Sequence, residues 1–139
     1  MPVSVEEFVD EPIVTFRFEE TLDAATARKA NEEALDMLAE MGSYYAVLDL
    51  RDLPMPIKDA LKMLKAKADG LPDMISHPQI HFVVVSRRAM LDTETNLDRQ
   101  NGIPEPLVFI RTDDAIDHIR IMIATRAYRM QQGGKAARV

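Results

Sequence analysis

The 139-residue sequence contains no cysteine, no tryptophan and only five glycines. Without cysteine the chain can form no disulfide, offer no thiolate nucleophile and bind no zinc through sulfur. Five scattered glycines are too few for a phosphate-cradling loop or a dinucleotide-binding fingerprint, and no Gly-x-Ser-x-Gly turn of a hydrolase is present. These absences exclude several common catalytic centres and fit a reducing compartment, so we expect a cytoplasmic protein.

The chain also lacks any apolar run near the ~20 residues that span a bilayer, and residues 1–11 carry acids where a secretory signal would carry bases. We therefore expect no membrane contact. The net charge is −6, with twelve acids and three bases in residues 1–50 but eleven acids and fourteen bases in residues 51–139. An acidic balance argues against nucleic-acid binding, which needs a basic surface to neutralise phosphates.

What is present is typical of one globular domain. Hydrophobic residues make up 47% of the chain and charged residues 29%, and the length suits a single core. We assign residues 1–131 to this domain. Residues 132–139, which include Gly133 and Gly134, are expected to form a flexible tail.

The hydrophobic periodicity predicts an α/β domain with a mixed sheet of about five strands and four helices. The predicted strands cover residues 3–9, 13–18, 44–50, 80–85 and 107–110, of which the first two form an antiparallel hairpin. The predicted helices cover residues 22–41, 57–69, 88–100 and 113–131. Thr21 and Thr112 are the expected N-caps of the first and last helices, and Gly42 is expected to end the first.

Arginines follow three of the predicted strands at the point where each strand ends. Because the carboxyl ends of parallel strands meet at one edge of a sheet, the loops after residues 50, 85 and 110 should lie close together. Guanidinium groups match phosphates and carboxylates in two contacts, which suggests an anion site. Its residues would be Arg51, Arg87, Arg88, Arg111 and Thr112. The alternative is that Asp52, Asp113 and Asp114 neutralise these arginines in surface ion pairs.

No other group of residues suggests catalysis or metal binding. His77, His81 and His118 stand in no metal-ligand spacing, so a structural role is expected for each. Asp49 and Asp52 could form a carboxylate pair, but at a strand end they can equally serve as turn and capping residues. We therefore expect a protein without a catalytic centre, a metal or a cofactor.

The order of the predicted elements resembles the STAS family, the domain shared by sulfate transporters and anti-sigma-factor antagonists. The resemblance spans nearly the whole chain and is sharpest at residues 47–53 (VLDLRDL), which are similar to the family's central strand and the loop that leaves it. It implies a SpoIIAA-like fold and a regulatory role through protein binding.

In the antagonists this loop continues into Asp-Ser-Ser-Gly-Leu, where a serine at a helix N-terminus is phosphorylated to release the partner. The matching residues here are 57–61 (IKDAL), and Lys58 occupies the position of that serine. Lysine carries the charge opposite to that of phosphoserine, so this switch cannot operate here. The chain is more similar to the divergent SpoIIAA-like proteins of bacteria, which lack the phosphorylation motif.

The prediction that follows is a non-enzymatic regulatory or interaction module of bacterial origin, acting on an unidentified protein partner and assembling as a homodimer. Two prolines stiffen its loop, and Met55 between them is expected to be exposed. The predicted interaction surface consists of Arg51, Asp52, Pro54, Met55, Lys58 and Lys62. The alternative is a sensor or enzyme for a nucleotide or another small anionic ligand, using the arginines at the strand ends.

Overall fold

A computed structural model describes residues 3–65, 73–87 and 107–136, with side chains described as far as residue 127. The elements are β1 (Val3–Glu7), β2 (Ile13–Phe18), α1 (Ala24–Met41), β3 (Tyr44–Asp49), α2 (Ile57–Leu64), β4 (Ile80–Val85), β5 (Val108–Phe109) and α3 (Thr112–Ala136). The predicted five strands are confirmed. The described part of the chain holds three helices instead of four, because the helix predicted at residues 88–100 lies outside it.

The five strands form one mixed sheet in the order β1-β2-β3-β4-β5. β1 and β2 pair antiparallel, as the predicted hairpin requires, and every other neighbouring pair is parallel. The carboxyl ends of β2, β3, β4 and β5 therefore lie at one edge of the sheet, here called the carboxyl edge. The opposite edge, where these strands begin, is the amino edge.

Helices cover both faces of the sheet. On one face, α1 and α2 pack on side chains such as Phe16 and Leu48, and α1 contributes the small buried residues Ala27, Ala30 and Ala34. Small side chains allow a helix to approach a sheet closely. On the other face, α3 buries Ile119 against alternate residues of the central strands, among them Val47 and Val83. No helix in the described ranges is long and apolar enough to cross a membrane.

All six residues of the central strand β3 are buried. This follows from its continuous apolar sequence, which is typical of a parallel strand covered on both faces. Its first residue, Tyr44, donates a hydrogen bond of 2.8 Å from its hydroxyl to the backbone carbonyl of Ala34 in α1. Burial raises the pKa of Tyr44, so the hydroxyl stays protonated and the hydrogen bond persists at any physiological pH.

The side chain of Asn31 in α1 contacts two separate segments. Its Nδ2 donates to the carbonyl of Leu64, the last residue of α2, at 2.9 Å. Its Oδ1 accepts from the backbone N–H of Met74 at 2.9 Å. One amide thus satisfies a carbonyl at a helix end and a buried N–H, both of which would otherwise need water or another partner.

The first helix begins two residues later than predicted. Asp23 is the N-cap of α1, and its carboxylate accepts a hydrogen bond of 2.8 Å from the backbone N–H of Thr26. Thr21 lies outside the helix, so its predicted role as the cap is wrong. Gly42 ends α1 as predicted: its φ of 73° lies in the region that glycine favours, and its N–H donates to the carbonyl of Leu38.

The last helix differs from the prediction at both ends. Thr112 is the first residue of α3, not its N-cap, and its Oγ1 is buried without a hydrogen-bond partner among the described residues. The helical backbone continues through Gly133 and Gly134 to Ala136, whereas the sequence predicted a tail from residue 132. A pair of glycines raises the free energy of a helix by about 2 kcal/mol relative to alanines but does not forbid it.

Candidate functional site

The candidate site is built around Asp49, the last residue of β3 at the carboxyl edge. Its side chain is only 5% exposed and accepts three hydrogen bonds from Arg51, one from the backbone N–H and two from the guanidinium. The guanidinium bonds join Nε to Oδ1 at 2.9 Å and Nη2 to Oδ2 at 2.8 Å. Such a two-pronged pair neutralises both groups and fixes the first turn of the loop.

A second ion pair joins the same loop to β2. Arg17 donates from Nη2 to Oδ2 of Asp52 at 3.0 Å, and its Nε lies 3.3 Å from the same oxygen. The hydrogen bond from Arg17 lowers the pKa of Asp52, and the charges of Arg17 and Arg87 lower it further. Asp49 and Asp52 therefore each pair with a separate arginine, which is the geometry of two ion pairs and not of a catalytic carboxylate pair.

Arg17 was not among the residues predicted for the site. It lies opposite Asp49 in the parallel pairing of β2 with β3, which places its side chain within reach of the loop after β3. The predicted hairpin pairs β2 with β1 alone. Arg17 is an outward-facing charge one residue before the carboxyl end of β2, which belongs to the same sheet. This position is the signal that could have identified it.

The loop between β3 and α2 is anchored at its centre by Leu53, which is buried and donates its backbone N–H to the carbonyl of Leu50. Pro54 is exposed. Met55 is only partly exposed and packs against the core beneath α1 and α2, so the expectation that it would be exposed is wrong. Its unbranched thioether adapts to the core against which it packs, as methionines commonly do.

Helix α2 directs its apolar side chains to the core and its lysines outward, as its spacing predicts. Ala60 and Leu61 are fully buried, Lys62 is exposed and Lys58 is partly exposed. The helix follows Pro56, which provides no side-chain cap. We call the predicted set on the loop and this helix the β3–α2 surface; it consists of Arg51, Asp52, Pro54, Met55, Lys58 and Lys62.

The predicted anion-binding residues are only partly available. Arg51 is bound by Asp49, which the sequence analysis did not propose as its partner. Arg87 and Arg111 are exposed, and Arg87 lies near enough to Asp52 to affect its pKa. Thr112 is partly exposed, and Arg88 lies outside the described residues. One predicted cation is thus neutralised, and the described part of the cluster is reduced to Arg87 and Arg111.

The three histidines lie away from this loop. His118 packs against Phe109 with ring centroids 5.3 Å apart, and its Nε2 is buried without a partner in the described part of the chain. His77 and His81 line a cleft at the amino edge. Within residues 3–65, 73–87 and 107–136, no cluster of three or more histidines and carboxylates is placed to hold a metal ion.

Comparison with known proteins gives matches of structure only. No family model and no curated protein matches the sequence. An anti-sigma factor antagonist from Mycobacterium paratuberculosis superposes with a TM-score of 0.52 at 22% identity, over 85% of this chain and 92% of the other. An uncharacterised DUF3478 protein with a SpoIIAA-like fold from Shewanella loihica gives a TM-score of 0.53 at 16% identity, over 83% and 90% of the two chains.

The chain therefore has a SpoIIAA-like fold, as its resemblance to the STAS family implied. At these identities the likeness extends to the fold and not to the function of either protein.

Proposed function

We propose that this chain is a non-enzymatic regulatory module of a bacterial cytoplasm, which binds a protein partner through the β3–α2 surface. The observation that carries the proposal is the fixed loop after β3, whose two arginine–carboxylate pairs and buried Leu53 hold an exposed segment in one conformation. The fold it shares with an anti-sigma factor antagonist supports a role of this kind by analogy.

A preformed loop binds a partner with less loss of conformational entropy than a mobile one. Asp49 and Arg17 restrain the loop on either side, and Pro54 and Pro56 restrict its backbone. Only the outward-facing side chains then need to become ordered on binding. This arrangement suits a permanent docking surface better than a switch that refolds.

The charge of the surface indicates the chemistry of the partner. Lys62 is exposed and Lys58 partly exposed on the outer side of α2. Two cations one turn apart attract a surface that carries carboxylates, with an affinity that falls as salt screens the charges. Because Lys58 stands where the antagonists have serine, any regulation of this contact works without phosphorylation at that position.

Affinity capture with charge-reversal variants tests the proposal. The tagged protein, Lys62→Glu and the control Arg28→Glu, which reverses an exposed charge on α1, are incubated with lysate of the source organism. We expect a protein that is retained by the wild type and the control but lost with Lys62→Glu and at high salt. Identical retention by all three would contradict the β3–α2 surface as the docking site.

The assembly we propose is a homodimer. Multi-angle light scattering at micromolar concentration should give twice the chain mass of 15.7 kDa. A mass equal to one chain across the concentration range would contradict it. The same measurement on Lys62→Glu shows whether the β3–α2 surface also forms the dimer contact, since charge reversal inside a self-association surface would change the mass.

The alternative, an anion sensor or enzyme at the carboxyl edge, is less well supported because Asp49 already occupies Arg51. Its remaining described cations are Arg87 and Arg111. A thermal-shift screen with nucleotides, phosphates and carboxylates tests it. A stabilisation abolished by Arg87→Ala would favour the alternative, and a flat screen would exclude it at those concentrations.

A further inference from the structure

A cleft opens at the amino edge of the sheet, on the opposite side of β3 and β4 from the β3–α2 surface. Its volume is about 560 Å³, within the range of small-molecule sites. The lining is mostly apolar and includes two aromatic rings. Among its residues are Tyr45, Ile75, Phe82, Leu107 and Met122. These residues come from two strands, two loops and α3, so the cleft is formed by the fold and not by one flexible segment.

Its polar residues include His81 and Arg126, which contact each other. Nη1 of Arg126 lies 3.5 Å from Nε2 of His81, and the imidazole packs against the ring of Tyr45 with centroids 5.2 Å apart. Burial lowers the pKa of His81, and the charge of Arg126 lowers it further. The imidazole is therefore mostly neutral near pH 7 and adds no second positive charge beside Arg126.

Among the described residues Arg126 has no carboxylate partner, unlike Arg17, Arg51 and Arg120. Arg120, on the same helix, is bound by both carboxylate oxygens of Glu11 at 2.9 Å. Arg17 and Arg51 also have carboxylate partners. Among the described residues, the one polar group in contact with Arg126 is His81. A guanidinium beside an apolar cleft without a carboxylate is suited to bind an anionic group of a ligand.

We propose that this cleft binds a small planar organic anion, with its carboxylate on Arg126 and its aromatic body against Tyr45 and Met122. The ring of Tyr45 favours a flat ligand, since aromatic groups pack in stacked or tilted geometries that an alkyl chain cannot reproduce. A carboxylate is favoured over a phosphate because its single charge matches the single guanidinium of Arg126. This site is separate from the β3–α2 surface, and the proposal does not depend on the proposed function.

The experiment compares indole-3-acetate with indole-3-acetamide, which has nearly the same shape but no charge. Binding is measured by calorimetry and by NMR chemical shifts with the wild type, with Arg126→Gln and with the control Arg28→Gln. Both substitutions remove one exposed charge from a helix surface, so both variants should fold, which circular dichroism verifies.

We expect indole-3-acetate to bind at least tenfold more tightly than the amide, because only the acetate can form a charge-assisted hydrogen bond with Arg126. Arg126→Gln should remove this difference and Arg28→Gln should preserve it. The largest shifts should fall on Tyr45, His81 and Met122. Equal affinity for acid and amide, equal affinity in Arg126→Gln, shifts centred on Arg87 and Arg111, or no binding at millimolar ligand would each overturn the proposal.

Discussion

At the scale of single residues, Asp49 is the charged group at the carboxyl edge that holds the start of the loop after β3. It is nearly buried and satisfies both the guanidinium and the backbone N–H of Arg51. Asp49→Ala should lower the free energy of unfolding by about 2 kcal/mol, since it leaves charged donors without their acceptor. Urea denaturation followed by circular dichroism measures the change.

The control for this prediction is Asp52→Ala, which breaks the more exposed pair with Arg17 in the same loop. Exposed ion pairs contribute little to stability, so the midpoint of the control should move much less. Equal midpoints for Asp49→Ala and the wild type would show that the Asp49–Arg51 pair does not hold the loop.

The titration of Asp52 provides a second prediction at this scale. Its pKa lies below the ordinary value of 3.8, mainly because of the hydrogen bond from Arg17. In Arg17→Gln we expect the pKa of Asp52 to rise toward that value, while Arg87 and Arg51 still lower it slightly. NMR titration of the side-chain carboxyl carbon measures the pKa of Asp52 in the wild type and in Arg17→Gln. An unchanged pKa in the variant would contradict the pairing, and the pKa of Asp23 serves as the internal reference.

The residues at the site were only partly predictable. The position of Arg51 and Asp52 in the loop after β3 follows from the order of elements, and Leu61 is buried as its spacing predicts. The partners of these charges could not be predicted, because Arg17 reaches Asp52 across a strand pairing separated by 35 residues in the sequence. The exposure of Met55 was predicted wrongly because the prolines beside it do not reveal which way the loop turns.

At the scale of elements, the end of α1 depends on Gly42. Its φ of 73° and ψ of −154° belong to a region that residues with a Cβ rarely adopt, and a Cβ added there would meet nothing within 4 Å. The cost of Gly42→Ala is therefore conformational, roughly 1–3 kcal/mol of unfolding free energy. Chemical denaturation of the variant measures it.

The neighbouring substitution Ser43→Ala is the matched control, because Ser43 is exposed and its φ is not positive. Its denaturation midpoint should stay close to that of the wild type. A midpoint for Gly42→Ala as high as that of the control would show that the chain can end α1 with a different backbone conformation.

Helix α1 shows why the N-cap of a helix is harder to predict than the residue at which the helix ends. Thr21 and Asp23 both carry a side-chain oxygen that can accept from a helix N–H, so the sequence alone offers two starts two residues apart. The positive φ of Glu20 turns the chain just before Thr21, and only Asp23 then lies in extended conformation directly before the helix. No second residue was predicted to end α1, and the predicted role of Gly42 at that position is confirmed.

At the scale of the whole molecule, several carboxylates tie distant parts of the chain together. Glu11 joins the turn after β1 to Arg120 in α3, and Asp52 joins the β3–α2 loop to β2. Hydrogen bonds to these carboxylates, and from Thr26 to Asp23, lower the three pKa values below their ordinary values of 4.5, 3.8 and 3.8. Each carboxylate binds its proton less readily in the folded than in the unfolded chain.

The unfolded chain therefore takes up more protons in acid, and stability must fall as pH falls. The contribution is complete above the ordinary values of 4.5 and 3.8 and is lost as the pH falls through the lower pKa values of the folded chain. Urea midpoints between pH 7 and pH 2.5 should be flat at first and then decline. The decline should be shallower in Glu11→Gln, and equal slopes would contradict the role of the Glu11–Arg120 pair.

The five strands and the hairpin were predictable because buried strands and amphipathic helices leave strong periodic patterns. The SpoIIAA-like fold was implied by the resemblance to the STAS family. The amino-edge cleft was not predictable. Its residues are spread from Tyr45 to Arg126 and have no common motif, and His81 gives no sign in the sequence that it contacts Arg126. Such a site exists only once the strand order and the position of α3 are known.

Asn31 fastens two separate segments of the chain to α1 with one side chain. Its amide donates to the carbonyl of Leu64 and accepts from the N–H of Met74. An aliphatic substitution would deprive both groups of their hydrogen bond at the same time. The end of α2, and with it the β3–α2 surface, is therefore coupled to the segment around Met74 through a single amide.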